Sequence, residues 1–345
     1  MNSQIALLLG QDGITNGAIY ALLALSILLV FTVTRILLIP QGEYVTYGAL
    51  TMAALQAGQP TALVWLLLAL TVADCAMDLY DAVRAQHGWR LPKRILIKLG
   101  YALGLVVLLR VLPLAELPMA VQALLTLALV VPLGPLLYRL VFQPLASASS
   151  LVLLIVSIAV HVAMVGIALL LFGPEGARTE PFSDTGLTLG PVTFNSQTLW
   201  VIAVSLALII GLYLFFERSL YGKALRATAV NRLGARLMGI SPTLAGKATF
   251  TLAAFIGALS GILIAPITTL YFDSGFVISL KGFVGAIIGG LVSYPAAALG
   301  ALGVGLIEAF SMFWASTYKE IIVFTLIIPF LLWRSLTSRH VEDDE

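Results

Sequence analysis

The chain is 345 residues long, 60% of them hydrophobic and only 10% Asp, Glu, Lys or Arg. A soluble domain carries roughly 25% charged residues, so this composition excludes a water-covered globular fold and indicates an all-α, polytopic membrane protein. Nineteen basic against 17 acidic residues leave a formal charge of +2, too little for a nucleic-acid surface, and a single cysteine excludes an intrachain disulfide framework.

A membrane-spanning helix needs about 20 predominantly apolar residues. Continuous apolar runs predict segments at 14–33, 43–58, 61–77, 95–112, 117–138, 150–172, 199–216, 248–271, 282–294, 296–314 and 317–333. Several are too short to cross alone, so the expectation is a bundle of eight to eleven membrane segments, with half-helices or re-entrant pieces among them. Strands of a β-barrel would alternate with period two, and these runs do not. No basic residue precedes Arg35, so the start lacks the charged region of a signal peptide, and the first helix is expected to stay in the mature protein.

Lysines and arginines set the orientation. With 217–247 placed in the cytoplasm, Arg218, Lys223, Arg226, Arg232, Arg236 and Lys247 lie inside, and alternation brings Arg84, Arg90, Lys93, Arg94 and Lys98 inside too. Arg35, Arg139, Arg334 and Arg339 join them, leaving only Arg110, Arg178, Lys281 and Lys319 outside or at the outer edge. The N-terminus is then outside and the C-terminus cytoplasmic. Residues 78–98 read as a charged cytoplasmic loop, 173–198 as a Gly- and Pro-rich periplasmic loop able to form a short hairpin or a lip for an external partner, and 341–345 as a solvated acidic tail.

No phosphate-cradling G-x-x-x-x-G-K-[ST] loop occurs, nor H-E-x-x-H, nor G-x-S-x-G. Cys75, His87, His161 and His340 are too far apart to suggest a metal site. His161 sits alone in an apolar helix, as a packed interior residue or as part of a permeation path. The chain is expected to have no catalytic residues and to bind no cofactor of its own.

Four features remain. Gly282–Glu308 holds seven glycines in 27 residues, including Gly289-Gly290 shortly before Pro295, which suits close helix packing, a broken helix beside a cavity, or both. Glu308 is costly in an apolar helix unless paired or wet; it faces a pathway or interface, or lies near the outer surface. Asp74, Asp78 and Asp81 share one helix face, continued by Arg84, as a solvated extension with a local ion pair or as an ion site. In the basic loop, Arg226, Val230, Leu233 and Leu237 follow a helical rhythm that Gly239 and Pro242 end. This short amphipathic helix either docks a partner or lies on lipid.

GKALRATAVNRLGARLMGIS resembles the cytoplasmic loop of the integral-membrane permeases of branched-chain amino-acid ABC transporters. IIGGLVSYPAAALGALGVGLIEAF resembles their glycine-rich C-terminal segment, and NGAIYALLALSILLVFTVTRILLIPQGEYVTYGAL their opening helix and following broken region. The matches span most of 14–58 and 217–333 in the right order and look like the smaller of the two permease types. Leu38–Glu43 departs from the usual Asn-Phe-Ala-His-Gly-Asp, and Val292 and Ala296 stand where glycine is common. The resemblance implies an importer permease for branched-chain or other hydrophobic amino acids, with urea, short amides and aromatic acids as solutes of relatives. It implies a second, homologous permease subunit forming a heterodimeric pore, two cytoplasmic ATPases that hold ATP and Mg, and a periplasmic binding protein, all at the bacterial inner membrane. ATPase coupling then falls to Arg226, Arg232, Leu233, Gly234, Ala235, Arg236, Leu237, Met238 and Gly239. Docking goes to Leu233, Ala235, Leu237 and Met238, with the three arginines steering toward an acidic rim. The translocation pathway is expected at Gln41, Gly42, Glu43, Gly289, Gly290, Ser293 and Glu308. An ion-coupled secondary transporter and a non-transporting membrane scaffold are the competing classes; the first normally shows paired intramembrane charges.

Overall fold

Inside a bilayer the backbone has no water to bond, so long apolar runs satisfy their amides internally as helices. A computed structural model describes residues 3–85, 91–183, 186–189, 192–291 and 293–337. Its helices are α1 (Ser3–Thr34), α2 (Gln41–Gln56), α3 (Leu63–Ala85), α4 (Leu91–Val111), α5 (Met119–Val130), α6 (Leu133–Leu137), α7 (Ser150–Phe172), α8 (Ser196–Arg218), α9 (Leu220–Val230), α10 (Arg232–Leu237), α11 (Pro242–Ile264), α12 (Ser274–Ile288), α13 (Tyr294–Ala315), α14 (Lys319–Thr325) and α15 (Ile327–Thr337). The segment between α7 and α8 holds an antiparallel pair of β1 (Leu187–Leu189) and β2 (Val192–Phe194). Among the described residues, seven helical stretches are long and apolar enough to cross a membrane, which makes this an all-α polytopic bundle.

Four expectations are corrected. The stretch 78–98 is not a loop: α3 runs to Ala85 and α4 begins at Leu91. The run expected at 248–271 ends as helix at Ile264, because uncharged residues continue through the non-helical 265–272, and the one expected from 282 begins at Ser274, because the charges of Asp273 and Lys281 interrupt the apolar run inside which α12 starts. Part of 217–247 is two helices rather than one, broken at Asn231, whose extended backbone and side-chain oxygen cap α10. Asp74 and Asp78 find their cations on other segments. Lys98 of α4 lies 2.6 Å from Asp74 and bonds Asp78, while Arg139 lies 3.0 Å from Asp74 and also bonds Asp78. His87, Arg90, Val292, Arg339 and the acidic tail 341–345 lie outside the described residues.

Helix α1 is buried almost throughout and α8 hardly at all, so α1 is the axis of the bundle. It packs antiparallel on α13 through glycines. A Cβ added to Gly305 would sit 2.4 Å from Gly17 N and 2.5 Å from Gly13 O, so the two backbones are in direct contact. Glycine packing of this kind replaces the hydrophobic drive that lipid removes.

Two unwound stretches organise the centre. Arg35 takes a left-handed conformation (φ 60°) that ends α1, and non-helical backbone then leads to α2. Ser157 of α7 serves that backbone, accepting from Ile39 N (3.0 Å) and donating to Leu37 O (2.7 Å). Helix α2 runs alongside α11, with Gly48 on Ala258 and Gly261 on Val45. The stretch 265–273 likewise leads from α11 to α12, which runs in the direction of α1, with Lys281 and Gly282 beside Tyr20. Each unit is a full helix, an unwound piece and a short helix, and the two units run in opposite directions. Their short helices start against each other: a Cβ on Gly42 would meet Gly275 O at 2.2 Å, and Thr46 Oγ1 accepts from Gly275 N at 3.0 Å.

Gly305→Leu is expected to drive α1 and α13 apart and cost about 1–3 kcal/mol or more, read as a lower melting temperature and yield in mild detergent. Gly303→Leu, where an added Cβ meets nothing within 4 Å, should leave both unchanged. Equal losses in the two variants would mean that the α1–α13 contact is not limiting.

Candidate functional site

Four places hold the residues singled out from the sequence. The first is the meeting point of α2 and α12. Gln41 and Glu43, in the first turn of α2, are fully buried. Gln41 Nε2 donates to Ala253 O (3.0 Å), and Glu43 Oε1 lies 2.9 Å from His161 Nδ1. His161 is therefore a bonded interior residue, stacked on Phe276 with centroids 4.3 Å apart. Glu43 Oε2 and Gln41 Oε1 are buried with no partner among the described residues. Gly42 makes the contact with Gly275 that a side chain would block.

The second is the turn between α12 and α13. Gly289 caps α12, and a Cβ there would lie 2.3 Å from Ala297 N; Gly290 has φ 76°, and Ser293 caps α13 by accepting from Ala296 N. Tyr294 beside it lies 3.3 Å from Thr32 and stacks on Phe216, so this break sits at the end of the bundle shared by the close of α1 and α8. Gly289, Gly290 and Ser293 thus lie far along α12 and α13 from Glu308, and the structure does not bring the expected pathway residues into one cluster.

The third is the middle of α1, α12 and α13. Glu308 is buried (4% exposed) and pairs with Lys281, also buried (5%), at 2.6 Å; Tyr20 donates its hydroxyl to the other Glu308 oxygen at 2.6 Å. The Lys281 ammonium also stands 5.7 Å from the centroid of the Tyr20 ring. Removing one member of such a buried pair costs about 3–5 kcal/mol, because it strands the other charge. The triad forms the floor of a cavity of about 520 Å³ whose rim includes Asp12, Thr198, Asp273, Lys319 and Glu320. These rim residues come from the end of the bundle opposite α9 and α10. Glu308 therefore does not lie on the outer surface: it is paired and meets a polar space. Lys281, placed at the outer edge by charge counting, and Tyr20 were both missed. An isolated lysine 27 residues before a lone glutamate, on the facing arm of the same apolar hairpin, is the signal that finds them.

At the far end, α9 and α10 carry the basic loop. Leu233, Leu237 and Met238 are exposed (69%, 80% and 82%), whereas Ala235 is buried against the chain itself and is not available to dock. Two arginines have internal work. Arg232 donates twice to Val33 O, at 3.0 and 3.3 Å, satisfying a carbonyl at the end of α1. Arg226 bonds Phe216 O and Glu217, doing the same for α8. Arg236 is exposed. Gly234 receives the Asn231 cap, and Gly239 (φ 81°) turns the chain toward α11. Arg232 holds α10 to α1 rather than standing on a rim, which the helical rhythm alone could not reveal. Arg232→Ala is expected to loosen this attachment by about 1.5–3 kcal/mol, read as faster proteolysis between 219 and 241 in the detergent-solubilised protein. Arg236→Ala should not change the rate.

Residues 93–331 match the family of permease components of branched-chain amino acid transport systems. The high-affinity branched-chain amino acid transport system permease protein BraD of Pseudomonas aeruginosa is 26% identical over 238 residues, 66% of this chain and 78% of that protein. The corresponding permease protein LivH of Escherichia coli is 27% identical over 205 residues, 56% of this chain and 65% of that protein. LivH of Salmonella typhimurium is 32% identical over 145 residues, 41% and 46% of the two chains. No solved structure gives a significant match. The glycine-packed bundle with its unwound centre, together with a match across more than half of its length, establishes that this chain belongs to the permease-component family of branched-chain amino acid transport systems.

Proposed function

We propose that the chain is a membrane-spanning permease subunit of an ATP-driven, binding-protein-dependent importer of branched-chain or similar hydrophobic amino acids. The family match over 93–331 carries this reading, and the named substrates of BraD and LivH support the solute class. The subunit pairs with a homologous second permease in a heterodimeric pore in the bacterial inner membrane. Two cytoplasmic ATPases supply ATP and Mg, and a periplasmic binding protein brings the solute; this chain itself holds no cofactor. The basic end formed by α9 and α10 faces the cytoplasm, which puts the start of α1 outside and the end of α15 inside.

The exposed leucines support the docking assignment. Leu233 and Leu237 lie on, and Met238 closes, a short helix that Arg232 and the Asn231 cap hold in place, so their surface is preorganised. Arg236 steers encounter with an acidic rim on the ATPase, acting on association rate more than on affinity. Gln41, Gly42, Glu43 and Glu308 belong to the translocation pathway, and Gly289, Gly290 and Ser293 to the hinge at its cytoplasmic end. Closure of the ATPases on ATP would rock the two permeases between outward and inward states.

The test is reconstitution of the complex in vesicles with ATP inside and labelled leucine presented by the binding protein. Leu237→Asp buries a charge at the contact and should weaken ATPase retention by about 30-fold, equivalent to about 2 kcal/mol, with uptake lost in parallel. Arg236→Ala should change retention far less. Full ATPase retention and substrate-stimulated hydrolysis in Leu237→Asp would exclude α10 as the coupling element.

A further inference from the structure

We propose that the cavity between α1, α12 and α13 binds the zwitterionic head of a free α-amino acid by exchanging partners with the Lys281–Glu308 ion pair. The proposal rests on the amino-acid reading above and adds the site and its rule of selection. The cavity, at about 520 Å³, lies in the size range of small-molecule sites. Its floor holds two opposite full charges on nine-tenths-buried side chains, 2.6 Å apart.

An empty site keeps these charges satisfied by each other. A ligand that carried only a carboxylate could take Lys281, but it would strand Glu308 in the interior. A ligand with only an ammonium would strand Lys281. Either exchange leaves one buried ion uncompensated, which is the costly outcome. A zwitterion avoids it, because its carboxylate accepts from Lys281 while its ammonium donates to Glu308, and the count of paired charges is unchanged. Tyr20 makes the exchange workable. Its hydroxyl holds the second Glu308 oxygen (2.6 Å) and its ring lies by the Lys281 ammonium, so both ions keep a neighbour while they part. The rest of the lining fits the solute class. Ile264, Ile267, Val277 and Met312 offer an apolar wall for a branched side chain. Asp12, Asp273 and Glu320 at the rim outnumber Lys319 there, which disfavours entry of a bare anion.

The experiment uses the assembled permease–ATPase complex without its binding protein, carrying Met312→Cys as a reporter in the cavity wall. Labelling by a small thiol reagent is measured with millimolar L-leucine, with 3-methylbutylamine, which lacks the carboxylate, and with 4-methylpentanoate, which lacks the ammonium. L-Leucine should slow labelling about tenfold more than either half-molecule, as expected when a buried charge would otherwise lose its partner. Equal protection by the three compounds, or none by L-leucine, overturns the proposal. In vesicles with the binding protein, Lys281→Met with Glu308→Gln removes both charges at similar volume. If the pair only fastens α12 to α13, this double variant should import leucine normally, since a buried pair replaced together is tolerated; that result would also overturn the proposal. Import reduced roughly 100-fold, with the ATPases still co-purifying, supports it. Tyr20→Phe keeps the packing and loses only the hydroxyl, so a decrease of about tenfold in import is expected there. Absence of leucine import by the unaltered complex would instead strike the functional reading, whatever the labelling shows.

Discussion

Unwound backbone at membrane depth is the constraint on which the rest of this structure depends. Between α1 and α2, and again between α11 and α12, the chain leaves helical geometry where lipid would offer its amides and carbonyls nothing. Such backbone survives only when protein covers it. Here Ser157 bonds both sides of the 37–39 segment, and Thr46 takes the free amide at the start of α12. The requirement explains why Gly42 and Gly275 touch: a side chain at either would separate the elements that cover each other's ends. It also explains why the two halves run in opposite directions, since two short helices can only start face to face if their parent helices enter from opposite sides. The positive ends of both helix dipoles then converge near Glu43 and Asp273, and carboxylates near helix N-termini are the favoured charge there.

Glycine contact and buried charge are coupled in the same way along α1. Gly13 and Gly17 bring α13 to backbone distance, and Tyr20 lies one turn further on. That approach is what lets a tyrosine on α1 reach Glu308 on α13 while Lys281 arrives from α12. With a larger residue at Gly17 the three groups would no longer meet, and the two ions would be left to lipid or water. The small residues are thus part of the electrostatics, although none carries a polar side chain.

Much of the architecture was legible because hydropathy reports helices directly. α7 and α8 fall within a few residues of where apolar runs place them, and the turn chemistry at Gly289–Ser293 was visible in the glycine pair and the nearby proline. What failed was the assignment of 265–281. Its first residues are uncharged although not helical, so the apolar run extended one span too far, and the charges of Asp273 and Lys281 started the next too late. Lys281 fell into the apparent gap and was counted as a surface charge. The same limit applied to Arg226 and Arg232: in sequence they are loop cations, and only the ends of α1 and α8 folded beside them show that they cap helices. Ala235 shows it from the other side, since a helical rhythm gives a face but not which neighbour covers it.

The ends of the molecule are joined by a small number of rigid parts. Helix α1 carries Tyr20 on its way from the cavity end and closes at Val33, where Arg232 fastens α10 to it. Helices α12 and α13 carry the ion pair and then turn at Gly289 and Gly290, beside Thr32 and Phe216 of α1 and α8. A movement of α10 is therefore applied to the close of α1, next to the turn whose two arms hold Lys281 and Glu308. Well-packed helices move as bodies rather than deforming, so a shift of α1 against the α12–α13 hairpin changes the spacing of Tyr20, Lys281 and Glu308 together. Three charged or polar groups on three helices, bonded within 2.6 Å, are a sensitive gauge of that relative position. A site built across these helices would differ between any two relative positions of them, and such a difference in contacts is what a change of state needs in order to alter affinity.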